Sequence, residues 1–374
     1  MRFPFFNNKW STTTLGTITK VFSGGTPSSK NKAYYNGNIP FIRSGEINKE
    51  ETELFLSEDG LKNSSAKLVS KGDLLLALYG ATSGEIGISK IDGAINQAIL
   101  CIKSNENIGF LKYLWESHVD GILKTYLQGG QGNLSAEIFK SIKIHIPSLE
   151  EQLVLYDFFE KLEKRINTQK KIIDNLNSLI NSIINHIYSK NDYNVKLSDV
   201  ITQSTNRNKN GLIDYVSSVS NKYGFIKQSE QFEDRDVASD DLSNYKVVTL
   251  NDFGYNPARI NVGSIARYKN TNDTVVSPMY ICFKCKNNLY PEYLEYYFKS
   301  KEFKIHLLRR LEGSVRQCLT FESMQNIPFH LPNLDEQKKN AKIISALFKK
   351  IQLETSILNK LILQKDYLLS KMFI

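Results

Sequence analysis

Ile146-Pro147-Ser148-Leu149-Glu150-Glu151-Gln152 recurs as Leu331-Pro332-Asn333-Leu334-Asp335-Glu336-Gln337, a displacement of 185 residues. That period is far too long for a solenoid unit, so it reads as one domain-plus-helix unit written twice. Fainter echoes lie upstream: 127–135 answers to 311–320, and Leu111-Lys112-Tyr113-Leu114 to Pro291-Glu292-Tyr293-Leu294.

Downstream of each copy runs a long helical pattern. Phe159, Leu162, Ile166, Gln169, Ile173, Leu176, Ile180, Ile183 and Ile187 step by alternating threes and fours, the 3.5-residue seam of a coiled coil. Adding 185 gives Ile344, Leu347, Ile351, Glu354, Leu358, Leu361, Lys365, Leu368 and Met372, so even the polar interruption coincides (Gln169, Glu354). Pro147 and Pro332 precede the patterns, Ser148 and Asn333 suit N-caps, and carboxylates fill the first turns. Some 40 helical residues would span about 60 Å. A lone helix of this kind leaves an apolar stripe in water. Parallel homodimerisation would cover it; antiparallel pairing within the chain is the preferred reading, because each helix follows an equivalent domain.

The expected division is a first domain at 1–146, a helix at 147–190, a second domain at 191–331 and a second helix at 332–374. Short apolar runs at 39–42, 72–78, 86–89 and 97–102 read as strands and 107–127 as a helix. In the second half the corresponding runs are 214–219, 264–267 and 279–284, with a helix expected over 291–311. The fold class is α+β: two tandem mixed α/β domains, each followed by a long helix.

Composition narrows the function. The chain has 374 residues, 41% of them hydrophobic, and carries 48 Lys plus Arg against 39 Asp plus Glu, a net charge of +9 that permits a polyanionic partner. Four scattered cysteines do not make a disulfide scaffold, which fits a reducing, cytoplasmic setting, and no apolar run suggests a membrane span. There is no P-loop and no glycine-rich strand-to-helix turn of the kind that binds S-adenosylmethionine. Asn256-Pro257-Ala258-Arg259 lacks the aromatic that stacks a target base in amino-methyltransferases. Cys282 and Cys285 fall in one strand and face opposite sides, so no metal site is expected. With no catalytic cluster, binding is the favoured class and no catalytic residue is assigned.

Polar loops beside glycines carry the candidate contacts. The 23–32 loop offers Thr26, Ser28, Lys30 and Lys32, and 79–84 offers Tyr79, Thr82 and Ser83. In the second half 256–263 offers Arg259 and Asn261, with Arg267 just after it and Ser218, Asn221 and Lys222 earlier in the same half. Arg43 follows a strand, and Gln131, Asn133, Arg316 and Gln317 occupy the pre-helix loop of each half. Hydroxyls, amides and cations of this kind suit phosphate oxygens and base edges, although each loop also reads as an ordinary surface turn.

In order, the motifs resemble those of the specificity subunits of type I restriction-modification systems, over essentially the whole length. The first half carries Ser23-Gly24-Gly25-Thr26-Pro27, Asn38-Ile39-Pro40-Phe41-Ile42-Arg43, Tyr79-Gly80-Ala81 and Gly93-Ala94-Ile95-Asn96-Gln97. The second carries Tyr215-Val216-Ser217-Ser218-Val219-Ser220, Asp234-Arg235-Asp236-Val237-Ala238-Ser239, Phe253-Gly254-Tyr255-Asn256-Pro257-Ala258-Arg259 and Gly313-Ser314-Val315-Arg316-Gln317. The resemblance implies a non-catalytic dumbbell whose target-recognition domains each read one half of a bipartite double-stranded DNA site. It implies that the paired helices act as an antiparallel coiled-coil spacer and receive two methyltransferase subunits, which restriction subunits join. S-adenosylmethionine, ATP and Mg²⁺ then belong to those partners and not to this chain. The halves differ in loop sequence, so asymmetric half-sites are expected. The alternative is a coiled-coil scaffold whose heads bind proteins.

Overall fold

The computed structural model describes residues 1–126, 133–189, 192–231, 241–313 and 317–373. They form two units, 1–170 with 356–374, and 171–355. Unit 1 holds strands β1 (Ser11–Thr14), β2 (Thr19–Ser23), β3 (Ile39–Ile42), β4 (Phe55–Leu56), β5 (Lys67–Val69), β6 (Leu74–Ala77), β7 (Ile86–Ile88), β8 (Gly93–Ile95), β9 (Ile99–Ser104) and β10 (Lys143–Ile146). Unit 2 holds β11 (Val195–Lys196), β12 (Ile201–Ser204), β13 (Val216–Ser220), β14 (Gly224–Lys227), β15 (Lys246–Val248), β16 (Phe253–Tyr255), β17 (Ile265–Arg267), β18 (Thr274–Val276), β19 (Ile281–Cys285) and β20 (Pro328–Phe329).

Their pairing is identical. The sheets β2-β9-β6-β7 and β4-β3-β8-β5 become β12-β19-β16-β17 and β14-β13-β18-β15, and β1-β10 becomes β11-β20. Even the single parallel contact of each unit corresponds, β3 with β8 and β13 with β18. The duplication is therefore one of topology, strand for strand, far beyond the short sequence echo.

Period-two alternation explains the layers. Every residue of β6 is buried, because Leu74 and Leu76 pack toward the domain helix Ile108–Tyr126 while Leu75 and Ala77 join Ile42, Ile95 and Cys101 on the other side. In unit 2 Phe253, Tyr255 and Phe283 face the helical side, and Cys282 joins Val219 and Val276 opposite. The helix expected over 291–311 is two helices, Pro291–Tyr297 and Lys301–Leu308. Ser300 breaks the run: its hydroxyl accepts from the Phe303 amide and donates to the Tyr297 carbonyl, which caps a new helix.

The long helices are Leu149–Tyr188 (40 residues) and Leu334–Met372 (39 residues). Ser148 and Asn333 cap them by accepting from the Glu151 and Glu336 amides. The repeated glutamine has a physical role. Gln152 is fully buried, donates to Pro147 O and to Glu106, and accepts from the Asn107 amide at 3.0 Å. Gln337, equally buried, donates to Pro332 O and Asn288 O and accepts from the Tyr290 amide at 2.8 Å. Each glutamine thus bolts its long helix to the start of its domain helix.

That bolt also corrects the sequence register. Asn107 corresponds to Tyr290, so Tyr113 answers to Tyr296, not Tyr293. Phe110 then matches Tyr293, and each lies against the aromatic that ends the other long helix, Phe373 at 5.5 Å and Tyr188 at 4.9 Å.

Each unit contains the beginning of one long helix and the end of the other. In unit 1 Phe159 packs with Leu369, Met372 and Phe373; in unit 2 Ile180, Ile184 and Tyr188 pack with Ala341 and Ile344. Start meets end in both, so the helices pair antiparallel. Phe159, Ile166, Ile180, Ile344 and Leu361 of the seam are buried, while Leu162, Ile173, Leu176, Ile183, Leu347, Ile351, Leu358 and Leu368 are half-buried. Gln169 and Glu354 are buried at its polar step.

Candidate nucleic-acid interface

The β-strand ends of unit 1 gather three of its loops. Gly24 lies so close to the Ile95 carbonyl that a Cβ there would sit 1.8 Å from that oxygen, so only glycine lets the 23–32 loop reach the end of β8. Gly25 N donates to the same carbonyl at 3.2 Å. Thr26 then donates to Gln97 Oε1, and the Gln97 side chain stands beside the Tyr79 phenol. Burial raises the Tyr79 phenol above its ordinary range, and the Gln97 contact offsets part of that rise. Leu134 N donates to Leu78 O at 3.0 Å, which sets exposed Asn133 beside the same strand end. Ser28, Lys30 and Lys32 stand exposed on the loop, and a 3₁₀ turn capped by the Asn31 side chain follows.

Unit 2 builds the same arrangement from other residues. Leu319, displaced by 185 from Leu134, donates to Pro257 O at 3.2 Å and brings exposed Gln317 near the 256–263 loop. Arg259 and Asn261 are exposed there, and the Arg259 guanidinium has no partner among the described residues. Gly263, at φ +90, closes the loop against the 221–223 turn, where a Cβ would lie 3.7 Å from that of Asn221. Ser264 anchors the turn by donating to Val219 O. Asn221 and Lys222 are exposed on it, with Lys222 over the Tyr223 ring at 5.0 Å.

Other candidates lie elsewhere or are engaged internally. The Arg43 guanidinium grips Glu46 and Glu53 at 2.9 and 2.5 Å. Burial alone would push the Glu46 carboxyl up, but hydrogen bonds from the Arg43 side chain and from the Arg43 and Glu53 amides hold it at about 2. Arg267 is spent on Glu295 and Asn251 at 2.8 and 2.6 Å. Ser218 is buried within β13, and Ser83 turns inward to donate to Leu78 O. Thr82, half-buried, accepts from the Glu85 amide through its carbonyl and so shapes the turn. Gln131 and Arg316, with the 234–239 motif, lie outside the described residues. Sequence reading missed Gln97 as a site residue. Its signal was the Asn96-Gln97 pair directly after an apolar strand.

Burial pushes the Cys282 and Cys285 thiols up to about 12, the behaviour of inert thiols. Among the described residues no group of three His, Cys, Asp or Glu could hold a metal, and no helix is long and apolar enough to cross a membrane. What the loops present are exposed amides, hydroxyls and cations on rigid strand ends, donors suited to phosphates and base edges.

Comparison with known proteins agrees with this geometry. The profile of the family described as type I restriction modification DNA specificity domain matches twice, at 7–178 and 188–363. The MjaIX specificity subunit of Methanocaldococcus jannaschii is 26% identical over 180 residues, 45% of this chain and 41% of that protein. The HindI specificity subunit of Haemophilus influenzae is 27% identical over 162 residues, 41% of this chain and 34% of that protein. The chain thus spans about two-fifths of the length of the curated relatives it matches, or less. The type I restriction-modification S subunit from M. genitalium has the same fold, with TM-score 0.61 at 14% identity over 100% of this chain and 99% of that one. A chain from a structure on complex assembly and conformational transition of the type I R-M system matches with TM-score 0.60 at 15% identity, over 98% and 97%. Two family matches, over two units of one topology, place this chain in the type I restriction-modification DNA specificity family.

Proposed function

We propose that the chain is the sequence-reading subunit of a type I restriction-modification complex, with one half of a bipartite, asymmetric double-stranded DNA site read by each loop cluster. The observation that carries this reading is the pair of clusters at equivalent strand ends, held by Leu134 and Leu319 but furnished with different side chains. A shared framework with divergent tips suits two half-sites of different sequence. Phosphate contacts from residues such as Lys30 and Lys222 supply salt-sensitive affinity, while amides and Arg259 supply base selection.

The paired helices act as the spacer between half-sites and as the seat for two methyltransferase subunits, through which restriction subunits join. S-adenosylmethionine, ATP and Mg²⁺ act on those partners, and the chain itself is non-catalytic. Linking two modest readers raises joint affinity only when the DNA gap matches the spacer.

The test is co-expression with a type I methyltransferase subunit, followed by selection from a randomised duplex library. The expected product is two short conserved blocks at a fixed gap. One contiguous block, or none, would overturn the reading. Inserting one heptad in both helices should change the preferred gap and leave both blocks intact; altered blocks would show that the helices are not the ruler.

A further inference from the structure

Gln97 stands where three loops meet, and its exposed amide is held at its oxygen by Thr26. Thr26, from the loop after β2, donates to Oε1; the Tyr79 phenol, from the loop after β6, stands beside the same side chain. Gln97 itself follows β8, whose Ile95 carbonyl receives the Gly25 amide. An exposed glutamine normally samples many rotamers, and fixing one costs entropy. Here the Thr26 bond already restricts it.

A primary amide has two N–H donors and two lone pairs on oxygen. The Thr26 bond takes one lone pair and leaves the other lone pair and the N–H donors, so a donor and an acceptor remain over. That remaining pair matches adenine, whose N7 accepts and whose N6 amino group donates in the major groove. The hydroxyls of Thr26 and Tyr79 carry donor and acceptor on one atom and cannot span N7 and N6 together.

We propose that Gln97 reads a single adenine of the first half-site, with Tyr79 and Thr26 as positioning residues that hold its amide ready. The inference rests on the DNA-reading function proposed above and goes beyond it by naming a base and its reader. Pre-organisation raises discrimination because a wrong base leaves an ordered amide unpaired.

The experiment uses the full chain with its methyltransferase partner and affinity selection from randomised duplexes. Wild type should return two blocks with adenine fixed at one position of the first. Gln97→Ala should lose about tenfold or more of the preference at that position and leave the second block unchanged. Gln97→Glu, which can only accept, should move the preference toward cytosine, whose N4 donates. Tyr79→Phe should soften the same position less than Gln97→Ala does. Unchanged base preference in Gln97→Ala overturns the proposal. So does a uniform loss of affinity across all sequences, since that marks a mere brace. If wild type selects no block at all, both the DNA reading and this inference fall; two blocks in wild type with an indifferent Gln97→Ala sink the inference alone.

Discussion

The corner where a domain helix meets a long helix is polar in unit 1 and aromatic in unit 2. In the first, Lys112 bridges Glu163 at 2.7 Å and Glu116 at 3.1 Å, Lys365 reaches Glu116 at 3.0 Å, and the Tyr113 hydroxyl donates to Glu163. In the second, the residue equivalent to Glu163 is Phe348, which stacks on Tyr296 with centroids 5.7 Å apart and Lys299 over its ring. The residue equivalent to Lys365 is Ile180, 3% exposed. One backbone junction has been filled with two incompatible chemistries. Identical topology therefore does not make the long helices interchangeable: a carboxylate in the aromatic corner would find Lys299 but meet Glu295 and Ile180 where Lys112 and Lys365 stand in unit 1, and that distinguishes the two ends of the helix pair.

What the corners do not share, the glutamine bolts do, and the largest expected effects test them. Gln152→Leu and Gln337→Leu should each cost about 3–5 kcal/mol, because each buried glutamine leaves a part-buried amide and two acceptors without their partner. Far-UV circular dichroism follows the helices of both units during denaturation, and the fluorescence of Trp10 and Trp115, both in unit 1, separates that unit's share. Losses of similar size in the two variants are expected. A large loss in one and none in the other would break the equivalence of the halves.

Transplanting the corner comes next. Phe348→Glu should cost about 2–4 kcal/mol through lost aromatic packing and a poorly paired carboxylate. Adding Ile180→Lys should restore about 1 kcal/mol or more, a coupling expected of neighbours. No coupling in the double-mutant cycle would show that the unit 1 quartet is a surface decoration.

Acid should separate the halves further. Glu46 has a folded pKa of about 2 against an ordinary 4.5, and Lys112, Tyr113 and Lys365 outweigh burial to lower Glu163 as well. Depressed carboxyls favour folding above about pH 4.5, and that contribution is lost as pH falls from there toward 2. Glu46→Gln should therefore lower stability at neutral pH, on the order of 2–3 kcal/mol, and flatten the acid limb of the tryptophan-monitored curve. An acid limb parallel to wild type would remove Glu46 as its cause.

Much of the framework was legible in the sequence because helical repeats are written locally. Phe159, Ile166 and Ile180 keep their period whatever surrounds them, and Pro147 and Pro332 mark where each helix begins. The break at Ser300 was hidden because the apolar period runs on through Phe298 and Phe303, and only a local cap ends the first helix. The site was harder. Arg43 and Arg267 are good DNA ligands by residue type, yet Glu46 and Glu295 claim them, and no spacing in the chain announces those ion pairs. Gln97 was passed over for the converse reason, since its partners Thr26 and Tyr79 are remote in sequence.

Arg259→Ala compares the two ends at the level of bases. It should relax one position of the second half-site by about tenfold, measured on single-substitution duplexes, and leave the first half-site untouched. Equal loss on every duplex would make Arg259 a backbone contact.

The smallest effect belongs to Lys30, and its value lies in its form. Lys30 is exposed, and among the described residues its ammonium has no partner, so its removal should leave the fold intact. As a phosphate contact it contributes one released counterion, and Lys30→Ala should lower the slope of log K against log salt by about one. Between 50 and 200 mM salt, that difference in slope amounts to about three- to fourfold in affinity, the same for cognate and substituted duplexes. Titrations at four salt concentrations resolve it. A base-specific loss with an unchanged slope would move Lys30 from the backbone to a base edge, and would place the reading face of unit 1 on the 23–32 loop itself and not on the Gln97 junction behind it.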